Sequence, residues 1–192
     1  MNHSQIKNLI LCALFAAITA ILAQVAIPLP LIPITCQTLA VGFTATILGS
    51  RYGMISMIIY AALGAIGLPV FSGMTGGFGA LIGPSGGYII GFIFTAWVTG
   101  FIMKRTTFNL PMALVANIVG MFVTLLFGMI QLKYVADLSW TKALALGVVP
   151  FILVGIIKAL IASFLGIKVR QRLMKAGLLN PAGSKPDTAA TE

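Results

Sequence analysis

Acidic side chains are almost missing from this sequence. Its 192 residues hold only Asp137, Asp187 and Glu192 against twelve Lys and Arg, and charged residues of both signs make up 8% of the chain. Soluble domains carry roughly 25% charged residues, so a water-soluble globule is excluded. Proton-coupled transport usually places carboxylates inside membrane spans, and no apolar run here contains one. Histidine is equally scarce: His3 stands alone in a short polar lead and reads as solvated, which leaves no metal cluster. A membrane enzyme would need a nucleophile, a base or a metal cluster, and a channel would need a continuous polar pore. Neither set of residues is present. The two cysteines, Cys12 in the first apolar run and Cys36 at the start of the second, belong at different depths, which argues against a disulfide and leaves both as small packing residues.

What the chain has in abundance is apolar surface. Hydrophobic residues account for 59% of it and the mean hydropathy is +1.09. A hydrocarbon core of about 30 Å needs about 20 apolar residues per helix, so this length accommodates roughly six spans in one compact all-α bundle. The spacing predicts spans over 6–27, 38–48, 54–66, 88–103, 110–132 and 143–167, the second beginning nearer Thr35 and the last kinked near Pro150. The first run, although near the N-terminus, reads as a retained span because five more follow it. Pro28, Pro30 and Pro33 force an extended connector after it, and residues 49–53 form a tight turn around Arg51. Residues 1–175 make up the membrane domain, and residues 176–192 read as a disordered tail by composition.

The net charge of +9 invites a nucleic-acid reading, but the basic residues sit at the ends of apolar runs, where they mark topology instead. One side collects Lys7, Arg51, Lys104, Arg105, Lys168, Arg170, Arg172, Lys175 and Lys185, while the other has Lys133 and Lys142. Cytoplasmic connections are the Lys- and Arg-rich ones. The chain is therefore a multi-pass protein of the cell membrane, with both termini cytoplasmic and lipid rather than nucleic acid as its surroundings.

The span pattern is interrupted between the third and fourth helices by residues 68–91, LPVFSGMTGGFGALIGPSGGYIIG, which contain eight glycines and two prolines. Glycine adds backbone entropy and proline removes a donor, so this stretch reads as a non-helical outer loop. In hydrocarbon such backbone is tolerated only where it lines a cavity or is buried in protein. Phe71, Ser72, Gly73, Ser85 and Tyr88 are accordingly candidates for the wall of a small-molecule site. Residues 77–83 echo a dinucleotide fingerprint but lack its strand, helix and following acid. Residues 83–87 lack the Lys-Ser/Thr that closes a nucleotide-binding loop, so any pumping energy must come from another subunit.

Lys158 belongs to neither charged side, because it falls near the middle of the sixth span. A lysine at a helix centre costs roughly 2.5 to 3.5 kcal/mol on insertion scales and generally finds a partner. That partner is a helix carbonyl, water reached by snorkelling, or an anionic ligand. Thr35, Gln37, Thr38, Thr75 and Gln131 join the wall residues as outer-half polar groups, with Asn117 deeper, beside Phe71, Phe78, Tyr88, Phe92 and Trp97. Neutral amides and hydroxyls among aromatics suit a mostly apolar ligand with a few polar groups. The first span also carries two overlapping small-residue pairs, Ala13-x-x-x-Ala17 and Ala16-x-x-x-Ala20. Such pairs let helices approach closely, within the protein or against a partner.

The runs IPLPLIPITCQTLA (27–40), LGSRYG (48–53), LGAIGLPVF (63–71) and GPSGGYIIGF (83–92) resemble those of the BioY family, the biotin-specific S components of energy-coupling factor transporters. The likeness is close over 13–101 and looser beyond. It implies a six-helix vitamin-binding subunit with no ATPase of its own, working with a membrane coupling subunit and two cytoplasmic ATPases. It further implies biotin as the transported ligand rather than a bound cofactor, in an outward-facing site capped by the connector between the first two helices. Ala13 and Ala17, with the overlapping Ala16 and Ala20, then belong to the docking surface for the coupling subunit. An S component for a different small vitamin would share much of this pattern. Members of the family often carry an acid three positions before the sixth-helix lysine, where this chain has Gly155, so neutral groups must do that acid's work.

Overall fold

The computed structural model of the chain describes residues 3–106 and 108–179. Helix α1 (His3–Ala23) ends earlier than its apolar run. The residues beyond it, Ala26–Ile27 (β1), pair antiparallel with Ile34–Thr35 (β2), so the proline connector is a small hairpin. Proline cannot donate to a ladder, and Pro28 and Pro30 lie in the hairpin's loop rather than in its paired residues.

Helix α2 (Gln37–Ala65) departs from helical geometry at one residue, Gly49 (φ 76°, ψ −173°). A turn over 49–53 is thus contracted to a single glycine, whose positive φ carries no side-chain penalty. The Gln37 side chain nevertheless donates to the Tyr60 hydroxyl at 2.6 Å. In a straight helix those residues would lie roughly 34 Å apart, so α2 is a helical hairpin folded at Gly49, and its two rods are the second and third spans. Against the fold lies Gly100 on α4 (Gly86–Arg105). A Cβ there would stand 2.1 Å from the Ser50 nitrogen and 2.4 Å from the Gly49 carbonyl carbon, so backbone meets backbone.

The glycine-rich stretch is not wholly irregular. It contains a 3₁₀ turn, Ser72–Met74, and a short helix α3 (Phe78–Ile82), bounded by Gly77 at φ 94° and by Gly83-Pro84. α4 opens at Gly86, before Tyr88, and α5 spans Leu110–Val135. The Asn109 side chain accepts from the Met112 amide at 3.0 Å, an N-cap with Pro111 in the first turn. Pro150 does not kink a helix but opens one: α6 (Trp140–Gly147) stops before it and α7 (Val149–Lys175) begins around it. A proline at a helix start removes a donor that has no partner there anyway.

Among the described residues five helices are long and apolar enough to cross a membrane, and the fold in α2 divides one of them, giving the bundle six rods. The core is centred on Val41, Met57, Tyr60, Tyr88, Phe92 and Leu125. A second cluster, formed by Leu11, Cys12, Phe15, Ile47 and Leu48, also includes Leu179. Disorder from residue 176 is therefore corrected for 176–179. Gly177 (φ 66°) and Leu178 return hydrogen bonds to Met174 and Leu173 in the glycine-ended helix stop, and Leu179 is buried against α1. Residues 180–192 lie outside the described residues. Lys7 donates to the Gly177 carbonyl, so the two ends of the described chain meet at one end of the bundle. Both cysteines are free, and the buried Cys12 thiol donates to the Tyr52 carbonyl at 3.3 Å.

The two alanine pairs of α1 separate onto different faces. Ala16 is 1% exposed and sits in the central core, which takes it off any docking surface, and Ala20 is half-buried against the same core. Ala13 and Ala17 are exposed.

Candidate functional site

A cavity of about 260 Å³ opens between the first rod of α2, α4, α5, α7, the β1–β2 hairpin and the 71–75 turn. Its size lies near the lower end of small-molecule sites, which run about 300–1,000 Å³. Phe71, Ser72, Ser85, Tyr88, Thr35, Gln37, Asn117 and Lys158 all line it, although they come from five separate stretches of the chain. Gly73 does not line it and sits exposed in the adjoining 3₁₀ turn at φ 70°.

Lys158 is half-buried on α7. Its ammonium donates to the Thr35 carbonyl at 2.7 Å and the Thr38 hydroxyl at 3.3 Å. A carbonyl, aided by a hydroxyl, is thus the partner the protein itself supplies. Neither group is charged, and the described acid, Asp137, lies on the connector ahead of α6 rather than in a span. The positive charge facing the cavity is therefore uncompensated by the described residues.

Thr35 also donates its hydroxyl to Gln37 Oε1 at 2.7 Å, and Gln37 Nε2 reaches Tyr60. The Phe71 ring meets Tyr60 edge-on, with centroids 5.5 Å apart. It lies over Gly64, where a Cβ would be 2.0 Å from its nearest ring carbon. Tyr88 presents its ring, because its hydroxyl is committed to the Gly147 carbonyl at 2.7 Å. Asn117 is held by its Nδ2, whose two N–H groups are shared among Thr46 Oγ1, Ser163 Oγ and the Ala113 carbonyl. Gly155 also lines the cavity. A Cβ on it would stand 2.3 Å from Met121 Sδ, so a thioether occupies the space a side chain at 155 would enter.

Several residues singled out by type face elsewhere. Phe78 and Trp97 are 67% and 44% exposed and do not line the cavity. Gln131 donates to the Leu81 and Gly83 carbonyls at 2.7 and 2.8 Å, fastening α3 to α5. Conversely, Phe151, Met121 and the hydrogen-bonded pair Thr95 and Thr124, 2.7 Å apart, line the wall without having been marked. Phe151 stands seven residues before Lys158, the spacing of one helix face, and that was the available signal. The site combines one ammonium, neutral hydroxyls and amides, and aromatic walls. Such a set binds a compact, largely apolar molecule carrying an anionic group.

The sequence matches the model of the BioY family over residues 1–175. It is 38% identical over 173 residues to the biotin transporter BioY2 of Lactococcus lactis, covering 90% of this chain and 95% of that protein. It is 34% identical over 166 residues to the biotin transporter BioY of Thermotoga maritima, covering 86% and 96%. Among solved structures, the crystal structure of the S-component for biotin from an ECF-type ABC transporter superimposes with a TM-score of 0.81 at 30% identity, covering 89% of this chain and 95% of that one.

Proposed function

The chain belongs to the BioY family, and we propose that it is the biotin-binding specificity subunit of an energy-coupling factor importer. It is a multi-pass membrane protein. Biotin is captured on the outer side and delivered inward by a membrane coupling subunit driven by two cytoplasmic ATPases. The observation that carries this reading is Lys158, an ammonium held at the wall of a largely apolar cavity by a carbonyl and a hydroxyl, with no charged partner among the described residues. It matches a small ring-bearing carboxylate such as biotin, whose acid supplies the missing negative charge. Protein purified in detergent is expected to carry biotin, identifiable by mass spectrometry of the released small molecule, and to rebind it after removal. Recovery of a different vitamin in its place would overturn the assignment.

The orientation rests on the basic residues at one end of the bundle, where Lys7 meets Gly177 and the Arg170 guanidinium donates to the Ile47 carbonyl. Cytoplasmic connections are the basic ones, so that end faces the cytoplasm and the 71–75 turn faces out. Single cysteines replacing Ser72 and Ser184, in a background lacking Cys12 and Cys36, should label from opposite sides of the membrane. Labelling of both from the cytoplasm would reverse the assignment of the cavity mouth.

A further inference from the structure

Tyr60 is fully buried and does not line the cavity, yet it stands between two of the cavity's walls. On one side its hydroxyl accepts from Gln37 Nε2 at 2.6 Å. Gln37 Oε1 in turn accepts from the Thr35 hydroxyl at 2.7 Å, and the Thr35 carbonyl holds Lys158 at 2.7 Å. The Tyr60 hydroxyl also donates to the Val70 carbonyl at 3.0 Å, immediately before Phe71 and Ser72 of a second wall. That second wall has few other anchors. Gln24 donates to the Phe71 carbonyl at 3.1 Å and accepts from the Met74 amide at 2.9 Å, and the Phe71 amide reaches the Thr75 carbonyl at 3.0 Å.

We infer that Tyr60 is a positioning residue for the ligand site, its hydroxyl coupling the Thr35–Lys158 wall to the Val70–Thr75 wall. Thr35 is the shared element, because its carbonyl serves the lysine and its hydroxyl serves the relay. When a ligand's carboxylate draws the ammonium, the change at Thr35 passes through Gln37 and Tyr60 to Val70, and the two walls respond together. The ring alone cannot do this. Tyr60→Phe keeps the edge-on contact with Phe71 and the apolar volume, while leaving Gln37 Nε2 without its acceptor and the Val70 carbonyl without its donor in an apolar core.

The inference rests on the biotin reading for its ligand but not for its tie. The test uses the full chain in nanodiscs, measuring biotin association and dissociation together with amide hydrogen exchange at Phe71 and Met74. Tyr60→Phe is expected to weaken biotin about tenfold, the scale of one unsatisfied buried pair, with the change in the dissociation rate. It should also speed exchange at both amides in the ligand-free protein. Combined with Lys158→Ala, the effect of Tyr60→Phe on biotin should shrink, because both act through Thr35. Should the phenylalanine variant not fold, Thr35→Val breaks the same relay one step away and is expected to reproduce its kinetics. Wild-type dissociation and exchange rates in the variant, or effects of the two substitutions that simply multiply, would overturn the coupling. If the wild type binds no biotin while exchange at Phe71 and Met74 still rises in Tyr60→Phe, the ligand assignment falls and the tie stands.

Discussion

Lys158→Ala is expected to weaken biotin binding by roughly 30-fold to several-thousand-fold, the consequence of removing one member of a desolvated charge pair worth about 2 to 5 kcal/mol. An uncharged biotin amide should lose far less. The ammonium rests on the Thr35 carbonyl and the Thr38 hydroxyl, which satisfy donors without neutralising charge. A lysine has three N–H groups, so an entering carboxylate finds both a donor and an unpaired charge. Each partner then relieves the other's desolvation. The ureido end is left to neutral groups, since Met121 overlies Gly155 where an acid would have to sit. Lys158→Arg should fall between wild type and alanine, because a planar fork does not reproduce a compact ammonium. Calorimetric titration of both ligands against the three proteins reads the result directly. Equal weakening of acid and amide by alanine would place the lysine at the ureido end or in a structural role.

That prediction starts from a residue legible in the sequence, since a lysine amid apolar residues stands out without any structure. The fold was legible for a similar reason: glycine and proline mark where helical hydrogen bonding stops, and they located the hairpin fold at Gly49 and the interruption before α4. They did not say what kind of interruption each was. Pro150 is compatible with a kink or with a helix start, and only the stop of α6 at Gly147 decides. Leu179 sits beside a polar tail, so composition alone assigned it to that tail, whereas the turn at Gly177 carries it into the cluster with Leu11, Cys12 and Phe15 of α1. Facing was the least legible property. Helices apolar all round carry no dominant polar face, so nothing local separated Trp97, which points outward, from Phe92, which lines the cavity. Tyr60 was invisible as a site residue because its role lies in two hydrogen bonds to parts of the chain brought together only by the fold.

The same ambiguity of facing affected the alanines of α1, and resolving it defines the second large effect. Ala17→Trp is expected to abolish ATP-driven biotin uptake while leaving biotin binding by the isolated subunit within about twofold of wild type. Ala17 and Ala13 lie on an exposed face of α1 beside Ile10, Leu14 and Ile21. Between helices in lipid there is little hydrophobic driving force, so association depends on close packing, which small residues permit. An indole at position 17 would hold a docked helix away along that seam, and overpacking of this kind costs about 1 to 3 kcal/mol or more at each tight contact. The residues that line the cavity come from elements other than α1, so the ligand site should not register the change. Ala16→Trp provides the contrast: Ala16 is 1% exposed within the core, and an indole there should cost folded protein rather than assembly. Co-purification of the coupling subunit and ATPases with each variant, alongside biotin titration, separates the cases. If Ala17→Trp lost binding but retained normal assembly, the exposed face of α1 would belong to the ligand site, and the partner would have to dock elsewhere.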